Sequence, residues 1–219
     1  NNRFNNPSDF VFIFVGSFNV DSIIPLIEKY IGKLPSKKGK ENYKDLGIRP
    51  PDYKIEEKIN KGTEPKSYVF SYFHKKDIKW NENDAFLMEV LRSVLEKRYL
   101  DILREEKSGV YTFRINAGMN KIPYEYAYLQ IVIPCAPSNT DSLFKLAVKE
   151  IYKIQQEGIN EDEIKAVKEI FRRKIEKQKQ NNSYWLNQLI SVYLYNNSVD
   201  LILNPEKQLD IITSDNIKR

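Results

Sequence analysis

Leu103-Arg104-Glu105-Glu106-Lys107-Ser108-Gly109-Val110-Tyr111 is the stretch on which the reading of this chain turns. It closes the longest apolar-periodic segment, in which Leu87, Val90, Leu91, Val94, Leu95, Ile102 and Leu103 recur at the three- and four-residue spacing of one α-helical face. Asn83 or Asp84 can cap the start of that helix. Ser108-Gly109 breaks it, and from Val110 the period changes to two: Tyr111, Phe113 and Ile115 share one face of a strand running to Ala117. A long helix thus delivers into a strand through a glycine-containing junction.

On the carboxy side of the junction, Lys121-Ile122-Pro123 marks a turn before a second alternating strand at 125–133. A helix opens at Asn139–Asp141, turns Leu143, Leu146, Ala147, Ile151 and Ile154 inward, and stops at Gly158. Asn160 with Glu163 has the spacing of a capping box and opens a helix to about Gln180, and an aromatic helix spans about 183–196. On the amino side, strands are expected at about 54–60 and 66–73, where Tyr68, Phe70 and Tyr72 alternate with Val69, Ser71 and Phe73. Before them lies a Lys-rich, Gly- and Pro-containing linker over 36–52. Phe10-Val11-Phe12-Ile13-Phe14-Val15-Gly16 reads as a strand covered on both faces, and a helix over 21–32 follows, with Asp21 and Ser22 as capping side chains. Strands paired in hairpins and helices grouped together define an α+β fold, a largely antiparallel sheet covered by helices on one side.

Composition narrows the chemistry. The 219 residues contain one His (His74) and one Cys (Cys135), so no intrachain disulfide, no Cys₂His₂, Cys₄ or His₃ zinc site, and no His-containing triad without His74 can be assembled. Thirty-five basic against 30 acidic side chains give a net charge of +5, but most cations are Lys interleaved with acids, unlike a concentrated nucleic-acid surface, and no nucleic-acid partner is expected. No stretch reaches the ~18 apolar residues of a membrane-spanning helix. The chain starts at Asn1 without Met and ends at Ile217-Lys218-Arg219 in what reads as the beginning of a helix, so it is expected to be a segment of something longer.

Within the junction, Arg104 stands at a helix end and Tyr111 at a strand start, seven residues on. A guanidinium donates several hydrogen bonds and a phenol donates or accepts one, so together they can hold a peptide carbonyl or an oxyanion. Spacing alone is met equally by a structural account, with Arg104 a charge favoured by the helix dipole and Tyr111 a half-buried strand residue, and on spacing alone that account takes precedence.

Residues 11–35, from Val-Phe-Ile-Phe-Val-Gly-Ser-Phe-Asn to Lys-Leu-Pro, together with Leu-Arg-Glu-Glu-Lys-Ser-Gly-Val-Tyr at 103–111, resemble the pitrilysin/insulinase family of zinc metallopeptidases, the inverzincins. In order and spacing the resemblance runs over nearly the whole chain. What it resembles is the non-catalytic, carboxy-side domain, with 1–35 as the final strand and helix of the preceding domain, 36–52 as a linker, and 53–219 as the domain itself, truncated at its C-terminal end. The family's zinc sits on a His-x-x-Glu-His helix, a motif this sequence lacks. The resemblance therefore implies zinc in the parent protein and none in this segment, which alone is expected to be inactive. It implies a zinc-bearing domain, in the same chain or a partner subunit, and a peptide substrate as partners. It carries Arg104 and Tyr111 over, by position, as residues that bind substrate and stabilise the developing negative charge. The alternative is a non-catalytic structural or substrate-presenting partner of such a peptidase, and His-x-x-Glu-His upstream in the parent separates the two. The family's exported bacterial members favour a periplasmic or otherwise exported location over the cytoplasm. The 10–16 strand is expected to pack on a vacant sheet edge or to serve another copy of the chain as a route to a homo-oligomer.

Other residues carry plainer readings. His74 is a surface residue at a strand end, Cys135 a small apolar filler, and Arg172 to Lys179 a solvated helix face. Tyr184 and Trp185 are expected in the core, and the tyrosines of 66–72 and 124–128 alternate as buried strand faces do.

Overall fold

The structure is a computed structural model and describes residues 6–37, 39, 42–105 and 112–219. It divides into two compact units, one of residues 1–44 and 174–203, the other of 45–173 and 204–219.

The second unit holds the sheet. Strands β1 (Ser67–Lys76), β2 (Arg114–Asn120) and β3 (Tyr126–Cys135) pair antiparallel in the order β1-β3-β2. The register places Ile131 opposite Ser71 on β1 and Ile115 on β2. Helices α2 (Glu82–Glu105) and α3 (Thr140–Glu157) pack on β2 and β1, and α4 (Glu161–Gln178) follows. Because side chains alternate across a strand, Val69, Leu129, Ile131, Ile133 and Ile115 form a dry aliphatic face, joined in the core by Leu87, Val90, Val94, Leu95 and Tyr99 of α2 and Leu143, Ala147 and Ile154 of α3. The expected α+β sandwich is thus present, with helices on one side of an antiparallel sheet.

The opposite face is a correction. Tyr68 and Phe70 are 68% and 62% exposed, and Tyr72 joins Tyr128, Tyr126 and Tyr124 in a surface row with ring centroids 6.3, 6.1 and 4.6 Å apart. The alternation correctly divides the strands into two faces, but the tyrosines occupy the wet one, where the phenol keeps water and the ring packs sideways. At one end of this row the Arg49 guanidinium lies 3.6 Å over the Tyr124 ring, and nearby Lys76 pairs with Asp52 and His74 Nε2 lies 3.0 Å from the Pro51 carbonyl oxygen. His74 is therefore a half-buried residue inside β1.

Two expected strands are absent. Residues 54–60 carry only Ile55 and Ile59 among charged neighbours; both are exposed, and the segment joins no ladder. The apolar run 10–16 is likewise not a strand, and it does not extend the sheet edge. Hydrophobicity supplies a face to bury, whereas a strand also needs a neighbour to take its backbone hydrogen bonds.

The first unit contains that run, α1 (Val20–Tyr30), the last turns of α4, α5 (Asn182–Tyr195) and α6 (Val199–Leu203). Neither α1 nor α5 buries a residue fully, while Ile175 and Ile202 are buried. Tyr184 and Trp185 are half-buried, stack edge-on, and are tied down by the Trp185 indole N–H donating to the Lys179 carbonyl at 2.8 Å. The caps also differ from expectation: Asn19, rather than Asp21 or Ser22, accepts from the Ser22 N–H, and Asn81, rather than Asn83 or Asp84, accepts from the Asp84 N–H at 2.8 Å. The capping box holds, with reciprocal Asn160–Glu163 hydrogen bonds of 2.9 Å. A short 3₁₀ turn, Pro205–Ile211, and α7 (Ser214–Lys218) return to the second unit.

Candidate functional site

Helix α2 (Glu82–Glu105) includes Arg104 in its backbone, and β2 begins three residues after Tyr111. The Arg104 side chain and the whole of Tyr111 lie outside the described residues, so what can be read is the frame that holds the two ends of the junction.

That frame centres on Arg98 and Tyr99. Tyr99 is 1% exposed, its hydroxyl donates to the Ala147 carbonyl at 2.7 Å, and its ring meets Phe113 edge-on at 6.1 Å. One side chain therefore touches α3 and the residue leading into β2. Burial pushes its phenol above the ordinary range. Arg98 grips Glu163 with both limbs of its fork, Nε to Oε1 at 2.7 Å and Nη2 to Oε2 at 2.9 Å, while Nη2 also donates to the Gly158 carbonyl at 3.1 Å. Its remaining nitrogen, Nη1, is buried with no hydrogen bond and lies 3.7 Å from Glu150 Oε2. The Arg98 bond holds the Glu163 carboxyl below its usual range, and Glu163 in turn raises Arg98. Gly158 fits because its φ of 78° and its surroundings exclude a side chain: a Cβ there would meet Ser214 Oγ at 2.0 Å. Ser214 Oγ accepts the Ile159 N–H at 3.0 Å, closing the turn between α3 and α4.

The result is a guanidinium with two carboxylates and a carbonyl at the meeting point of α2, α3 and α4, a device for holding a helix rather than for turning over substrate. Sequence reading passed over Arg98 and Glu150. Their signal is a charged residue on an apolar stripe: Arg98 stands three residues after Leu95, and Glu150 lies between Ala147 and Ile154.

The residues present do not fit a zinc ion: among the described residues no group of three His, Cys, Asp or Glu side chains is placed to hold one. Cys135 is half-buried at the end of β3, and burial pushes its thiol up. Arg172 and Arg173 pair with Glu169 on a solvated helix face. No helix among the described residues is long and apolar enough to cross a membrane.

The antiparallel sheet with helices on one side is a fold shared with the periplasmic protease PqqL of Escherichia coli, which superposes with a TM-score of 0.77 at 19% identity over 93% of this chain and 22% of its own. The family itself follows from the sequence. The chain belongs to the peptidase M16 inactive domain family, whose model matches residues 2–171. It is 28% identical to an Arabidopsis thaliana "zinc protease PQQL-like" protein over 88% of this chain and 22% of that protein. It is 21% identical to the "probable zinc protease PqqL" of E. coli K12 over 98% of this chain and 23% of that protein. The chain therefore spans less than a quarter of the length of these relatives.

Proposed function

We propose that this domain binds substrate and closes the reaction chamber of a zinc metallopeptidase whose metal is held elsewhere in the parent protein, on another domain of the same chain or on a partner subunit. The observation that supports this reading is the match of residues 2–171 to the inactive domain of a peptidase family. In this reading residues 1–35 complete the preceding domain, 36–52 link, and 53–219 form the substrate-holding domain. Zinc supplies the activated water and the Lewis acid when bound. The residues of this chain do something else: Arg104 donates hydrogen bonds to the peptide, and the Tyr111 phenol donates to the carbonyl oxygen as it gains negative charge. An exported location of the parent is supported by the periplasmic E. coli relative.

The test is made in the full-length parent. Arg104→Ala and Tyr111→Phe are each expected to lower peptide turnover about 10²-fold, the cost of removing one preorganised oxyanion donor, with zinc content unchanged. Normal turnover in both variants would remove the assigned role.

A further inference from the structure

Within the second unit, residues 45–52 form a strap without helix or strand at one end of the exposed tyrosine row. Three contacts seat it there: the Arg49 guanidinium 3.6 Å over the Tyr124 ring, Asp52 against Lys76, and the Pro51 carbonyl oxygen 3.0 Å from His74 Nε2. Tyr124 in turn stacks on Tyr126 at 4.6 Å with 24° between the ring planes, so the cation rests on the first of a series of rings.

The strap shows which side chains this surface accepts. Leu46 and Ile48 are 71% and 78% exposed, so its two aliphatic side chains stay in water while the guanidinium lies on the ring. Arg49 and Pro50 each precede a proline, which keeps the backbone extended. From within the strap, Asp45 holds both limbs of the Arg49 fork and so fixes its plane. Aromatic faces attract cations, and proline-rich backbone costs little to order. The strap is also held loosely. No residue from 45 to 59 is buried, and none joins the sheet. Exposed contacts of this kind contribute little each, so the seat can be vacated without disturbing the aliphatic core on the opposite face.

We propose that the Tyr124 end of the row is a binding site for an extended peptide segment carrying an arginine followed by proline, and that residues 45–52 are its built-in, displaceable occupant. The proposal deepens the substrate-binding reading by naming a peptide class, and rests on that reading only for the ligand being substrate. Binding is measured on the 219-residue chain itself. Its failure therefore leaves the Arg104 and Tyr111 test untouched, and normal turnover in those variants leaves the binding result standing.

The probe is a fluorescein-labelled nonapeptide with the sequence of residues 45–53, Asp-Leu-Gly-Ile-Arg-Pro-Pro-Asp-Tyr, titrated by anisotropy. A tethered strap competes at an effective concentration on the order of millimolar, so the unsubstituted chain should bind weakly. Arg49→Ala combined with Asp52→Ala loosens the strap and touches no buried residue, and this chain should bind at least about 10-fold more tightly. Replacing the probe's arginine by alanine, or adding Tyr124→Ser to the loosened chain, should each cost about 10-fold. Equal affinity of the loosened and unsubstituted chains, indifference to the probe's arginine or to Tyr124, or no binding to the loosened chain at about 1 mM probe overturns the proposal. Self-association of the loosened chain that blocks the probe would assign the face to a second copy and overturn it as well. Should Tyr124→Ser fail to fold, Lys76→Ala, which removes the partner of the probe's second aspartate, takes its place with an expected loss of about 3-fold.

Discussion

The two faces of the sheet are built from the same strands and are similarly rich in large apolar side chains, yet they live in different surroundings. On the helix side, Ile131 and Ile133 are 0% and 1% exposed; on the other, Tyr68 and Phe70 stand in water. The difference lies in side-chain type. β-branched aliphatics have no polar atom to satisfy and interlock with helix side chains, whereas tyrosine tolerates a surface because its hydroxyl stays hydrated. An apolar alternation thus reveals that a strand has two faces, and the chemistry of each face reveals which one is dry.

The largest effect should come from the dry face. Ile131 lies between Ser71 and Ile115 in the register and is wholly buried. Ile131→Ala removes its outer carbons and leaves a cavity that the neighbours fill only in part, so the urea unfolding free energy of the chain should fall by about 2–5 kcal/mol. A loss below about 1 kcal/mol would mean that the two faces are not energetically distinct.

On the covered side a charge must bring its partner, and the Arg98–Glu163 pair sharpens the comparison there. Glu163→Gln should cost about 1–3 kcal/mol at neutral pH, since Arg98 then lacks a charged partner for its second limb. The pH dependence has a defined sign. Arg98 depresses the Glu163 carboxyl below its ordinary value of 4.5, so the folded state holds its protons less tightly than the unfolded chain. The stabilisation is complete above that ordinary value and is lost as pH falls through the depressed folded value. Urea midpoints of the unsubstituted chain and of Glu163→Gln should therefore draw together as pH falls below that ordinary value and through the depressed one; a gap that stays constant from neutral to acid pH would show that the carboxylate charge contributes nothing.

How far the sequence foretold this arrangement depends on what each element needed. Strands β1, β2 and β3 and helices α2 to α5 were legible from period, because a helix closes its own hydrogen bonds and these three strands are each other's neighbours. Residues 10–16 and 54–60 were misread because a strand is a property of a pair, and nothing in Phe10–Gly16 says which partner is near. The helix caps differ from expectation by two or three residues at Asn19 and Asn81, where several Asn, Asp and Ser side chains compete and only backbone geometry selects one. The Arg98 clamp has no signal in local period: Arg98 and Glu150 are charged side chains that fall on apolar stripes, and what pairs with them is not a local pattern. Their partners are 52 and 65 residues from Arg98 in sequence, beyond the reach of any local pattern.

The smallest expected effect belongs to the wet face. Phe70 is 62% exposed and stands opposite Val132 on β3. Because most of its ring is already in water, Phe70→Thr removes little buried area and retains β-branching that suits a strand, so the unfolding free energy should change by no more than about 0.5 kcal/mol. The same substitution at a covered position would strand a hydroxyl in the aliphatic layer. A loss of more than about 1.5 kcal/mol at Phe70, read from urea unfolding of the isolated chain, would mean that this face is covered in solution, and the contrast between the two faces would then have to be redrawn as one between two kinds of buried surface.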